Sequence, residues 1–176
     1  MKYRRATDAG GTYFFTVNLA NRASTLLVDH IDALRASVRK VRERHPFEII
    51  AWVTLPDHLH TVWQLPPDDA NYPLRWALIK ADFSKAMPRG ERINASRQSQ
   101  GERGIWQRRY WEHLIRDEVD LQRHVDYIHI IPVKHGYAER ASDWPYSSIH
   151  RYISRGELTC DWAYAAAGDI CTGERG

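Results

Sequence analysis

The 176-residue chain has a formal net charge of +3 at pH 7, 43% hydrophobic and 27% charged residues, and a sequence pI near 8.9. The length fits one domain with a real core, and the modest basic excess permits nucleic-acid binding without demanding it. Cys160 and Cys171 are the only cysteines, no secretory leader opens the chain and no apolar run approaches the roughly 20 residues of a membrane span. A reducing cytoplasm is the simplest setting.

Residues 1–11 form a basic arm, with Lys2, Arg4 and Arg5 ahead of the Gly10-Gly11 break. Its arginines suit phosphates, although a solvated tail is an equal reading. Aromatic and β-branched residues predict a strand over 13–19. The spacing of Ile31, Leu34, Val38 and Val41 predicts one amphipathic helix over 28–44, basic around the rest of its circumference. A strand over 47–55 turns at Pro56-Asp57 into a second strand, His58 to Gln64, its antiparallel neighbour. A helix follows over 74–86. Residues 88–104 are rich in Pro, Gly, Ser, Asn, Gln and Arg and read as a mobile loop. Its Arg89, Arg92, Arg97 and Arg103 either order on nucleic acid or belong to a disordered insertion.

Trp106-Gln-Arg-Arg-Tyr-Trp-Glu-His113 interleaves three aromatics with Arg108 and Arg109, a composition suited to a groove that tracks a phosphate backbone and stacks bases, Trp111 among its platforms. After the strand-like run 110–115, Asp117 caps a helix, Asp120 completes the capping pattern and Pro132 ends it. The turn 133–136 then carries Lys134 toward a phosphate, and a short helix or turn follows near 149–154.

Two features of this order concern chemistry. His58 and His60 are two apart on a strand, so both imidazoles face one side, where a divalent ion can be shared, and Leu59 faces the other. In the later helix Leu121, Val125 and Ile128 make one apolar stripe, and Asp120, His124, Tyr127 and Ile131 fall about a quarter turn away. Tyr127 therefore lies beside the core face among titratable groups. Two histidines on a strand are more often hydrogen-bonded structural residues, and a lone helical tyrosine is usually structural; only the combination points to a site. His113, His129 and His135 read as supporting or structural. The cluster of carboxylates needed for a two-metal phosphoesterase is missing.

The chain resembles the REP-associated tyrosine transposases, a branch of the IS200-type single-tyrosine HUH transposases. The resemblance is carried by Gly10-Gly-Thr-Tyr-Phe-Phe-Thr-Val-Asn18, Pro56-Asp-His-Leu-His60, Trp76-Ala-Leu-Ile-Lys80, Trp106 to His113, Asp126-Tyr-Ile-His129, Pro132-Val-Lys-His-Gly136 and Asp143-Trp-Pro-Tyr-Ser-Ser148, in order along nearly the whole length. It implies an α+β fold, a ferredoxin-like or RRM-like antiparallel sheet with packed helices, agreeing with the strand-helix-strand-strand-helix-strand-helix order. It implies Mg²⁺ or Mn²⁺ on His58 and His60, and Tyr127 as a nucleophile that cleaves and rejoins hairpin-forming single-stranded repeat DNA through a 5′-phosphotyrosine. The setting it implies is the bacterial cytoplasm, at the nucleoid; monomer and homodimer stay open. One position departs from the pattern. Such proteins usually carry asparagine four residues after the tyrosine, as the third metal ligand, and here that residue is Ile131, which has no donor atom. Water, DNA phosphate, His124 or Asp120 is left to fill the place, or the protein is a weakened enzyme that mainly binds hairpins.

Overall fold

Strands form where aromatic and β-branched side chains alternate, and helices where apolar residues recur every three or four positions. The computed structural model describes residues 8–163, so Lys2, Arg4, Arg5 and Cys171 lie outside the described residues. Four strands, Thr12–Asn18 (β1), Glu48–Thr54 (β2), His58–Gln64 (β3) and Trp111–Leu114 (β4), pair antiparallel in the order β2-β3-β1-β4. β3 lies between β1 and β2, and β1 lies between β3 and β4. The two crossovers are thus split β-α-β units, the ferredoxin-like arrangement expected from the sequence.

Between β1 and β2 run Leu26–Asp29 (α1) and Ile31–Arg44 (α2); Tyr72–Ala86 (α3) and Ala95–Gln98 (α4) lie between β3 and β4. Tyr13, Phe15, Val17, Leu59 and Trp63 project from one side of the sheet into a core shared with Leu34, Val38, Val41, Trp76, Ile79 and Phe83 of α2 and α3. Trp63 and Trp76 stack at 4.2 Å between ring centres. The opposite side is covered by Glu118–Lys134 (α5), whose Val125, Tyr127, Ile128 and Ile131 pack on Phe14, Ala51, Val53 and Val62. Ile149–Ser154 (α6) closes the edge of β2, where Thr54 N–H donates to Tyr146 O and Ser148 N–H to Trp52 O.

Some boundaries differ from the sequence reading. The helix predicted over 28–44 breaks at His30, whose backbone leaves the helical region (φ −119°, ψ 38°). The break lets α1 dock on the β2–β3 turn, through Leu27 N–H to Pro56 O, with Leu27 buried in the core. α3 starts at Tyr72, two residues before the expected 74, because the Asn71 side chain caps it by accepting from Leu74 N–H. The largest correction concerns Pro132, which does not end α5. A proline removes one donor from the helix, and the ladder continues with His135 N–H to Ile131 O. Val133 and Lys134 are therefore helical, and the turn comes at Gly136, whose positive φ (73°) suits glycine.

Candidate active site

β3 sets the two histidines. Both project from the α5 side of the sheet, with ring centres 5.0 Å apart and planes nearly perpendicular. His58 Nδ1 meets Asp57 Oδ1 at 2.7 Å, and the second oxygen of Asp57 accepts from Arg22 Nε at 2.5 Å. His60 stands opposite Thr16 in the β1–β3 register, and its Nδ1 meets Thr16 Oγ1 at 2.9 Å. With Nδ1 hydrogen-bonded in both rings, Nε2 is the nitrogen each can present to a cation. A carboxylate behind a ligating histidine fixes its tautomer and orientation, which is the part Asp57 is placed to take.

The electrostatics agree with this use. Burial lowers the His58 pKa against the opposing pull of Asp57. Burial, with the charges of His58, His135 and Arg22 behind it, puts His60 well below the ordinary imidazole range. Both rings are therefore neutral at physiological pH, the form that binds metal. Burial works against ionising Asp57, but hydrogen bonds and charge from His58 and Arg22 outweigh it and hold the carboxyl below its usual value. Two neutral nitrogens on one wall, one backed by a carboxylate, fit a divalent cation.

α5 brings the tyrosine to this wall. Asp117 caps it as expected, accepting from Asp120 N–H at 2.8 Å. Tyr127 is 8% exposed, and its ring stands edge-on to His60 at 5.2 Å and to Phe14 at 6.0 Å between centres. Ile131, one turn on, is 4% exposed and sits in the apolar cluster with Val53 and Leu55.

No protein-family profile matches the chain. A Haemophilus influenzae protein assigned to the REP-associated tyrosine transposases is 48% identical over 161 residues, covering 91% of this chain and 92% of that protein. The REP-associated tyrosine transposase of Escherichia coli K12 is 46% identical over 174 residues, 99% of this chain and 97% of the relative. The chain belongs to this transposase family. A solved structure of a REP-associated tyrosine transposase bound to a REP hairpin has the same fold, with a TM-score of 0.83 and 45% identity over 99% of this chain and 98% of that one.

Against the family pattern, the remaining predicted residues fall into separate places. His124 and Asp120 gather with a third residue. They join His113, with His113 Nε2 at 2.8 Å from Asp120 Oδ2, and with His124 Nδ1 at 3.3 Å from Asp120 Oδ1 and 2.8 Å from Asp120 O. The rings of His113 and His124 stack at 4.7 Å, and Phe14 lies against both His124 (4.7 Å) and His60 (5.7 Å). Burial opposes ionisation of Asp120, but hydrogen bonds from His113 and Arg116 prevail and hold its pKa at about 2. The donor atoms of His113, Asp120 and His124 lie within 4.8 Å of one another, so this group too can hold a metal ion.

Among the predicted DNA contacts, Arg109 and Lys134 are exposed, and Trp111 is 42% exposed and stacked on His113 (4° between planes). Arg108 is turned onto its own chain, donating to the Glu102 carboxylate and to Ser96. Within 88–104, Arg103 likewise donates to Glu91 and to the carbonyls of Met87 and Pro88, and Arg97 donates to Trp106 O. Sequence reasoning missed Asp57, Arg22 and Thr16 as partners of the histidines. Asp57 read only as a turn residue, and the other two reach the site through pairing that no local pattern reveals. It also read His135 only as supporting or structural, and the His135 ring centre lies 5.4 Å from that of His58.

No helix among the described residues is long and apolar enough to cross a membrane.

Proposed function

We propose that this chain is a metal-dependent single-stranded DNA endonuclease and strand transferase that acts on hairpin-forming, REP-type repeats in the bacterial cytoplasm. The observation that carries this reading is the meeting of Tyr127 with His60 on the α5 side of the sheet, at 5.2 Å between ring centres. The hairpin substrate is supported by the related solved structure, which holds a REP hairpin.

His58 and His60 would hold a Mg²⁺ or Mn²⁺ ion, with Asp57 and Thr16 fixing the rings. When bound, such an ion polarises the scissile phosphate and stabilises charge in the transition state. The Tyr127 phenol has a reference pKa near ~10, so it passes its proton to solvent as its oxygen attacks phosphorus. The P–O bond to the 3′-oxygen breaks, and that oxygen leaves as a 3′-hydroxyl once protonated. Tyr127 is left esterified to the 5′-phosphate. Attack on that ester by a 3′-hydroxyl reverses the sequence, rejoins DNA and returns the phenol with no nucleotide cofactor. Packing against Phe14 and His60 fixes the Tyr127 ring in the site, and a fixed nucleophile favours displacement by tyrosine over attack by water.

The test is a denaturing gel of end-labelled hairpin oligonucleotides with Mn²⁺. The unaltered chain should form a covalent protein–DNA adduct, and Tyr127→Phe should form none. Cleavage without an adduct, or an adduct that survives Tyr127→Phe, overturns the reading. The burial of Ile131 where the family carries a donor favours a second reading, a hairpin-binding protein with weakened cleavage. In that case hairpins bind, and the adduct appears only in Ile131→Asn.

A further inference from the structure

We infer that His135 supplies the third protein ligand to the cation held by His58 and His60, replacing the donor that Ile131 lacks. This rests on the metal reading above and deepens it. Tyr127, Ile131 and His135 recur at intervals of four, so they lie along one line of α5 and its C-cap. That line reaches His135 only because the helix continues through Pro132, with His135 N–H bonded to Ile131 O.

The ring spacings leave room for a shared ion once the exposed His135 ring turns toward it; among the described residues the preformed three-donor group is His113, Asp120 and His124. With a metal–nitrogen bond of about 2.1 Å, two imidazoles on one cation have ring centres roughly 4.5–5.5 Å apart. His58 and His60 are 5.0 Å apart, and His58 and His135 are 5.4 Å apart with planes 70° from parallel. The alternatives offered by the sequence are placed elsewhere. His124, stacked on His113, belongs with His113 and Asp120 to a three-donor group of its own. Asp120 is tied to His113 and Arg116. His135 is exposed at the helix end, directly before Gly136, so its side chain can settle onto an ion without disturbing the core.

The exchange has a chemical consequence. Replacing an amide oxygen by an imidazole gives three nitrogen donors, a set suited to first-row transition metals more than to Mg²⁺. The donor position also moves one helical turn, from a buried position toward the mouth of the site.

Co²⁺ alone, without DNA, is the probe, titrated by visible absorption into the full chain and into His135→Ala, His58→Ala, His60→Ala and His113→Ala, each checked for unchanged melting. The inference expects His135→Ala to weaken Co²⁺ binding at least about tenfold and to alter the absorption band, as His58→Ala and His60→Ala do. Adding Ile131→Asn to His135→Ala should recover part of the affinity and improve competition by Mg²⁺. If His58→Ala and His60→Ala weaken binding while His135→Ala matches the unaltered chain, this inference fails and the metal reading stands. If only His113→Ala weakens it, or no variant does, both fail.

Discussion

The face of the sheet covered by α2 and α3 is almost wholly apolar, with Tyr13, Phe15, Trp63 and Trp76 interlocked. The face covered by α5 interrupts its apolar residues with His58, His60 and His113, and α5 itself adds His124. Both faces belong to the same four strands, since odd and even residues of β1 and β3 point opposite ways. One face supplies the burial that stabilises the fold, and the other can then carry buried imidazoles at a cost in stability. Within the α5 face, Phe14 touches His60 and Tyr127 as well as His124 of the His113–Asp120–His124 group at the start of α5.

The largest effect that tests this division is on stability. Trp76→Ala removes a fully buried indole stacked on Trp63 and should cost about 3–5 kcal/mol in denaturant unfolding, while the folded fraction keeps its Co²⁺ affinity. A loss of affinity in the folded fraction would show that the two faces are not separable.

Acid should then reveal the cost of buried histidines. Burial, followed by the charges of Arg151 and His150, lowers His129 to about 4, while its ring meets Ser148 Oγ at 2.9 Å and holds α5 against α6. The unfolded chain binds this proton near the ordinary pKa of about 6.5, so stability is full above that pH and falls as pH drops toward 4, by roughly 3 kcal/mol. Asp120, at about 2, adds a further loss below pH 4. In urea unfolding followed from pH 8 to 4, His129→Gln should flatten the upper part of this decline. An unchanged slope removes His129 as its source.

The smallest effect sharpens the site itself. Asp57→Asn keeps the shape beside His58 but loses the carboxylate, and should lower Co²⁺ affinity by about 10–100-fold, roughly 1.4–2.7 kcal/mol. Thr16→Val, read by the same titration, should change less, because a hydroxyl orients His60 without adding charge. Equal losses from the two changes would argue that orientation alone matters.

Much of the fold was legible because it is written in local periods. The alternation of β3, the amphipathic spacing of α2 and the Asp117 cap each depend on neighbours a few residues away. Helix ends were less legible: His30 breaks a continuous apolar pattern for the sake of α1 docking, and Pro132 sits inside a helix whose remaining hydrogen bonds are enough to continue it. Of the candidate site, the shared face of His58 and His60, the position of Tyr127 beside the core and the missing donor at Ile131 were determined by the sequence itself. Tertiary structure alone decided that α5 crosses that face, that Thr16 meets His60 and Arg22 meets Asp57, that Phe14 touches both His60 and His124, and that His135 lies beside His58. Those relations join residues tens of positions apart, and strand register and packing, which no local pattern encodes, bring them together.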